Sequence, residues 1–294
     1  MKTKNIAIAL LSLALFVNIS CESFLDEDPR STVTAGFYYE NAAQAEENII
    51  SMYRRGAPDR YGVATSAYIG PTASINTFLT GYFSNNYEGQ ELVCLYSRQL
   101  TRQQNSRIVS NTMNSIWNES YTAINIANGA IEMDENQKKL LIAEAKFFRA
   151  FNYFYLVKTF GDVPLPTEPY DLSLDPAIPR AGSADVYALI EADLTEAIEV
   201  LPAATFTSSG YRITKYVAAM ALSNVYLQQG KYEQAATNIR IVTDSPHSLT
   251  ANSDLQLGSA YNKLRTEDNL AEVIYSYEYD EAINNSGRWP SFRI

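Results

Sequence analysis

The stretch that decides the fold is "ITKYVAAMALSNVYLQQGKYEQAATNIRIVT", residues 213–243. Its apolar residues recur at helical spacing on both sides of Gly230, and a glycine permits a tight turn between two helices. The residues that fall at the spacing of a tetratricopeptide repeat are Leu222, Tyr226, Gly230, Tyr232 and Ala235. The small alanine lets the second helix approach the first closely. The stretch therefore predicts a tetratricopeptide-like helix pair.

Helical periodicity also continues on the N-terminal side of this pair. Residues 113–131 and 137–159 predict a second pair with a weaker pattern, and the second of these helices is apolar on most sides, which indicates burial between neighbours. A further helix is predicted with Ser183 as its N-cap. Alternation of β-formers over 272–279 predicts a short strand. The fold class is therefore mainly α: tetratricopeptide-like helix pairs over about 113–243 form an α-α scaffold, with long irregular loops and a few short strands.

A loop-rich insert over about 57–110 lies between the first predicted helix and the scaffold. Asn41 and Gln44 form a capping box that starts this helix, and Gly56 ends it. The insert is rich in glycine, small polar residues and aromatic residues, and it keeps no helical period. Long loops inside a domain are uncommon and are usually functional, so the insert is the first place to look for a binding site.

Aromatic and amide side chains within residues 61–98, called here the predicted binding loop, are the candidate ligand contacts. Tyrosine rings stack on sugar rings, and asparagine and arginine hydrogen-bond to hydroxyl groups. The alternative for each tyrosine is that it only fixes the loop onto the helices. The candidate ligand-binding residues are Tyr82, Asn85, Asn86, Tyr87 and Arg98.

The N-terminus has the pattern of an export signal. Two lysines precede the apolar run 6–19, which is shorter than the ~20 residues that a membrane-spanning helix needs. The small residue Ser20 comes directly before Cys21, which indicates a signal peptide over 1–20 and lipidation of the cysteine thiol. Residues 21–34 then form a lipid-anchored tether. The alternative is an ordinary exported protein in which Cys21 has no special role.

Composition argues for binding rather than catalysis. The formal net charge of -10 makes nucleic acid an unsuitable partner, because phosphates require a basic surface. Cys94 is interpreted as a small buried apolar residue, and the one histidine, His247, as part of a turn after a helix. Glu144 and Arg149 are interpreted as paired with their neighbours, not as catalytic residues. The sequence has no phosphate-binding glycine loop and no His/Cys metal pattern, so no cofactor, metal or catalytic residue is predicted.

Several stretches together carry a family resemblance. The first is "CESFLDEDP" at 21–29, and the longest is "AEAKFFRAFNYFYLVKTFGDVPL" at 143–165. "DVYALIEADLTEAIEVLP", "RITKYVAAMALSNVYLQQGKYEQAA" and "AEVIYSYEY" follow in the same order. These stretches resemble the SusD/RagB outer-membrane lipoproteins of Bacteroidetes. Members of that family are longer, so residues 35–294 are expected to be a SusD-like helical domain whose C-terminal half is missing.

The resemblance implies a non-enzymatic, surface-exposed lipoprotein of the outer membrane. Such a protein binds glycans, such as starch-like polysaccharides or oligosaccharides, and acts in nutrient uptake as a lid on a SusC-like TonB-dependent barrel. The acidic residues after Cys21 resemble the signal that sends such lipoproteins to the outer face. Two alternatives remain open at this point: peptide capture, as in the RagB branch, and a lipid-anchored tetratricopeptide scaffold that recruits envelope proteins. An exported glycoside hydrolase comes last.

Overall fold

The computed structural model describes residues 42–55, 80, 113–132, 135–170, 177–252, 259–267 and 270–276, which all belong to one compact unit. Within these ranges the chain forms seven helices and one short antiparallel sheet. The helices are α1 (Ala42–Arg55), α2 (Asn114–Ile131), α3 (Glu135–Phe160), α4 (Ser183–Val200), α5 (Lys215–Gln228), α6 (Tyr232–Thr243) and α7 (Ser259–Thr266); the strands are β1 (Val163–Pro164) and β2 (Arg180–Ala181). The predicted mainly α fold is confirmed.

The scaffold is built by sequential packing of helices. From α2 to α6 each helix packs chiefly against the next one in the chain, and α1 packs across α2 and α3. The core is continuous through all six of these helices. Its largest fully buried side chains are Tyr153, Phe148, Ile49, Met52, Ile116, Ile124, Leu156, Ile190, Leu194 and Ile213. This is the arrangement of stacked helix pairs, in which each pair covers the apolar face of its neighbour.

The central helix of the stack is α3. It packs against α2 on one side and α4 on the other, and also contacts α1 and α5, which explains why its sequence is apolar on most sides. Phe148 is 1% exposed and meets the Tyr53 ring of α1 edge-on, with 5.0 Å between ring centroids. The helix begins two residues earlier than the predicted 137–159 and is kinked at Lys138, whose φ of -143° is not helical.

The tetratricopeptide-like pair forms as predicted. Gly230 adopts φ +73° in the turn between α5 and α6, a conformation that costs glycine nothing but strains other residues. Leu222 and Ala235 are buried in the interface, and the Ser223 hydroxyl of α5 donates to the Ala235 carbonyl of α6 at 3.0 Å. Tyr232 differs from the others, because it begins α6 and remains 71% exposed.

The prediction that Ser183 is the N-cap of α4 is wrong. The N-cap is Gly182, which has no side chain to offer, and Ser183 is the first helical residue. Asp162 caps the helix from a distance: its Oδ1 accepts the Ser183 N–H at 2.8 Å and the Ser183 hydroxyl at 2.6 Å. Pairing of β1 with β2 brings Asp162 to this position, and the two bonds to Ser183 lower the pKa of its carboxyl.

The strand predicted over 272–279 is absent in the part that the structure describes, 270–276. The Val273 N–H donates to the Leu270 carbonyl, which makes a turn, and within the described ranges no strand pairs with this segment. His247 anchors the turn, since its Nδ1 lies 2.9 Å from the Ala271 carbonyl oxygen. The interpretation of His247 as a turn residue after a helix is confirmed. Residues 277–279 lie outside the described ranges.

Candidate functional site

The predicted ligand contacts fall outside the described residues, but the helices on either side of the insert in the chain are described. α1 ends at Arg55 and α2 begins at Asn114. These two helices pack against each other. Several residues that the sequence analysis singled out lie outside the described ranges: Cys21, Asn41, Tyr82, Asn85, Asn86, Tyr87, Cys94 and Arg98.

A charged cluster holds α1 in place. Arg212, in the loop before α5, donates from Nε and Nη2 to both carboxylate oxygens of Glu144 on α3, at 2.9 and 2.6 Å. Its Nη1 donates to Oε1 of Glu46 on α1 at 2.9 Å. Paired, planar donors of this kind match a carboxylate in both distance and direction. One guanidinium thus joins three separate parts of the chain.

The two carboxylates of this cluster differ in environment. The Glu144 side chain is 1% exposed, whereas that of Glu46 is 53% exposed. Burial raises the pKa of Glu144, and the hydrogen bonds from Arg212 oppose that rise. In return, Glu144 raises the pKa of Arg212, so the guanidinium stays charged. The prediction that Glu144 is paired with its neighbours is therefore confirmed.

Tyr53 fixes the last turn of α1. Its hydroxyl oxygen accepts the Ile213 N–H at 2.6 Å, and its ring lies against Phe148. Burial, and then the nearby Glu144 carboxylate, raise the pKa of the Tyr53 phenol. Tyr53 lies two residues before the end of α1, so this contact fixes the C-terminal end of the helix.

A second buried charge pair ties α3 to α4. Arg149 donates from Nε and Nη2 to the two oxygens of Asp193, both at 2.7 Å, and the two side chains are only 7% and 3% exposed. Its Nη1 also donates to Asn128 Oδ1 on α2 at 3.0 Å. The prediction that Arg149 is paired with its neighbours is confirmed. Burial raises the pKa of Asp193, and the hydrogen bonds from Arg149 oppose that rise.

A proline-rich segment, residues 163–170, lies along α2 and α3 and is called here the strap. Three of its eight residues are prolines, which have no N–H and so cannot take part in regular backbone pairing. The carbonyl groups of the strap therefore need side-chain donors. The hydroxyls of Tyr121 and Tyr153 donate to the carbonyls of Pro164 and Pro166, both at 2.7 Å.

Asparagines of α2 complete the attachment of the strap. Asn128 Nδ2 donates to the carbonyls of Pro166 and Glu168, both at 3.1 Å. Asn125 exchanges two hydrogen bonds with the backbone of Tyr170, at 2.9 and 2.8 Å. Tyr121, Asn125 and Asn128 share one face of the helix, four and then three residues apart. These polar side chains of α2 thus bind the protein's own chain.

The described residues give no sign of metal chemistry or of a membrane span. In these ranges no three His, Cys, Asp or Glu side chains are grouped as a metal site would require. None of the helices that the structure describes is long and apolar enough to cross a membrane.

Similarity to known proteins agrees with this architecture. Over residues 23–227 the sequence matches the protein family described as "Starch-binding associating with outer membrane". The SusD-like protein P2 of Formosa agariphila is 28% identical over 298 residues, which cover 98% of this chain and 55% of that relative. The SusD-like protein P38 of the same organism is 30% identical over 290 residues, which cover 95% and 54%.

A solved structure described as a laminarin binding SusD-like protein superposes on this chain with a TM-score of 0.62. The sequence identity is 25%, and the superposition covers 81% of this chain and 51% of the other. The α-α scaffold of tetratricopeptide-like helix pairs is therefore the fold that this chain shares with that structure. The chain belongs to the SusD-like family. It spans about half the length of the relatives that it matches.

Proposed function

We propose that this protein binds glycans without chemically altering them. The observation that carries the proposal is the match over residues 23–227 to a family whose description names starch binding. The laminarin binding relative supports the same class of ligand, since it shares the helical scaffold. The ligand site is proposed to lie in the predicted binding loop, which follows α1 in the chain.

The strap argues against recruitment of peptides by the α2–α3 pair. The backbone groups of an extended peptide need hydrogen-bond partners on the surface that binds it. Here Tyr121, Asn128 and Tyr153 already bind the carbonyls of residues 163–170. This observation favours a binding protein whose ligand site lies on its loops over a scaffold that recruits proteins through this face.

Location and partner are part of the same proposal. Cys21 carries a lipid anchor in the outer membrane, and the protein works with a SusC-like TonB-dependent barrel that imports the bound glycan. The family description, which names association with the outer membrane, supports the location. We expect Cys21→Ala to abolish palmitate labelling and membrane association. A variant that remained labelled and membrane-bound would contradict the anchor.

Tyr82 and Tyr87 are proposed as stacking contacts. We expect Tyr82→Ala and Tyr87→Ala each to weaken retention of the protein by laminarin or starch in affinity electrophoresis by about three- to tenfold, the equivalent of one lost aromatic contact. The melting temperature should stay nearly unchanged, because the loss is one of contact and not of packing.

The matched control for this experiment is Tyr261→Ala. Tyr261 lies on α7 and is 64% exposed, so its removal should leave retention as it is. Unaltered retention in both loop variants would remove the predicted binding loop from the site. Release of reducing ends from the glycan would show turnover and overturn the non-enzymatic proposal. Retention by immobilised peptides alone would favour the peptide-binding class instead.

A further inference from the structure

The loop that joins α4 to α5 is unusually well fixed by its own hydrogen bonds. The Tyr211 N–H donates to the Phe206 carbonyl at 2.9 Å, and the Ser209 N–H to the Thr205 carbonyl at 3.0 Å. The Ser209 hydroxyl lies 2.7 Å from the carbonyl oxygens of both Phe206 and Arg212. A loop held in this way presents its side chains in one arrangement, so little conformational freedom remains to be lost when a ligand binds.

Tyr211 is held in a strained backbone conformation within this loop. Its φ is +64°, in the left-handed region that bulky residues seldom adopt and that costs about 1–2 kcal/mol relative to the ordinary helical region. The strain is not explained by burial, because Tyr211 remains 43% exposed. Strained residues that the surrounding structure keeps in place are concentrated at ligand sites. The ring of Tyr211 is thus exposed on a backbone that the hydrogen bonds of its loop hold in place.

The aromatic surroundings of Tyr211 are rigid. Its ring meets Phe206 edge-on, with 5.6 Å between centroids, and Phe206 is 3% exposed. Phe206 in turn meets Tyr275 edge-on at 5.0 Å. Tyr275 also lies near enough to Tyr53 to contribute to the raised pKa of that phenol. The Tyr211 ring thus packs on Phe206, and Phe206 packs on Tyr275.

Polar groups able to bind hydroxyls are carried by Arg212, the next residue in the chain, and by its partner Glu46 on α1. Arg212 uses three of its five N–H groups on Glu144 and Glu46, and its side chain is 25% exposed. The exposed Glu46 carboxylate receives this one bond, at Oε1, which leaves its other lone pairs as acceptors. The two carboxylates and one guanidinium carry a net negative charge. An anionic ligand is therefore disfavoured here.

We infer that Tyr211, Arg212 and Glu46, called here the Tyr211 surface, form a sugar-binding subsite for a neutral glycan. One ring of the glycan stacks on Tyr211, while Arg212 donates to a sugar hydroxyl and Glu46 accepts from one. Glu46 lies nine residues before the end of α1, about 14 Å along the helix from the point where the insert begins. The subsite is additional to the predicted binding loop. It rests on the proposed function, because it adds a contact for the same class of ligand.

The decisive variant is Tyr211→Gly. Glycine adopts φ +64° without strain, which offsets the lost contact of the ring with Phe206, so the fold is kept. We expect a melting temperature close to that of the wild type, together with about three- to tenfold weaker retention by laminarin or starch. Tyr211→Phe keeps the ring and should retain nearly all of the binding. Tyr232→Ala removes a more exposed tyrosine elsewhere and should change nothing.

Each result of this experiment decides one point. If the wild type is retained and Tyr211→Gly is retained equally, the subsite is wrong while the proposed function stands. If the folded wild type is retained by neither neutral glycan, the proposed function itself fails, and the subsite fails with it. If polygalacturonate retains the wild type more strongly than neutral glycans do, and Tyr211→Gly weakens that retention, the inference of a neutral ligand is overturned.

Discussion

Replacement of Asp193 by alanine should lower the free energy of unfolding by about 3–5 kcal/mol, among the largest losses expected from any single substitution in the scaffold. The reason is that Arg149, only 7% exposed, would be left as a buried cation without its carboxylate partner. The guanidinium would keep only its bonds to the Asn128 side chain and the Thr167 carbonyl, which are neutral. Urea denaturation followed by far-ultraviolet circular dichroism measures the loss directly.

The same helix interface supplies the control. Lys146 of α3 pairs with Glu196 of α4, but the Glu196 side chain is 57% exposed. Glu196→Ala should therefore cost less than about 1 kcal/mol. The double variant Arg149→Met with Asp193→Leu removes both charges and should recover much of the loss. If Asp193→Ala cost no more than Glu196→Ala, the buried pair would not have the structural role assigned to it.

Replacement of Arg212 by methionine should make stability depend strongly on pH. Without the guanidinium, the strongest effects that oppose burial of Glu144 are lost and only the hydrogen bond with Tyr53 remains, so the pKa of that carboxyl rises further in the folded state. The folded chain then holds a proton that the unfolded chain releases. The free energy of unfolding of the variant is therefore independent of the Glu144 titration below the ordinary glutamate pKa of about 4.3. It falls as the pH rises from there through the raised pKa of the folded state. We expect a loss of about 3 kcal/mol or more at pH 8.

The pH dependence identifies the responsible group. Urea denaturation of Arg212→Met at several pH values between 4 and 8 should show falling stability, and adding Glu144→Gln should remove most of that slope. Glu46 loses the same partner, but its side chain is 53% exposed and water can solvate it. Parallel profiles for the single and double variants would mean that Glu144 does not depend on Arg212 for its charge.

Local features of the fold could be predicted because they depend on neighbours in sequence. Apolar spacing gave the helices, and Gly230 gave the turn of the α5–α6 pair, because both depend on residues within a few positions of each other. Ser183 was wrongly predicted as a cap because Asp162, 21 residues earlier, does the capping. The predicted strand at 272–279 had the right composition, but a strand also needs a partner, which composition does not reveal.

The polar network could be predicted only in part. The position of Glu144 and Arg149 in an apolar helix indicated that they are paired, and this is confirmed. Their partners could not be named, because Asp193 lies 44 residues from Arg149 and Arg212 lies 68 residues from Glu144. The conformation of Tyr211 could not be predicted, since an unusual φ has no sequence pattern when the residue is not glycine. The adjacent Ser-Ser-Gly is a turn composition and indicates only that a turn lies there.

The most direct test of glycan binding without turnover is titration of the purified chain with laminarin and with starch oligosaccharides by isothermal calorimetry. We expect saturable binding to at least one of these neutral glycans, with no release of reducing ends during the titration. The contradicting result is the absence of binding heat for both glycans while circular dichroism shows a folded helical chain. In that case the helical scaffold would be real, but glycan binding by this chain would be wrong.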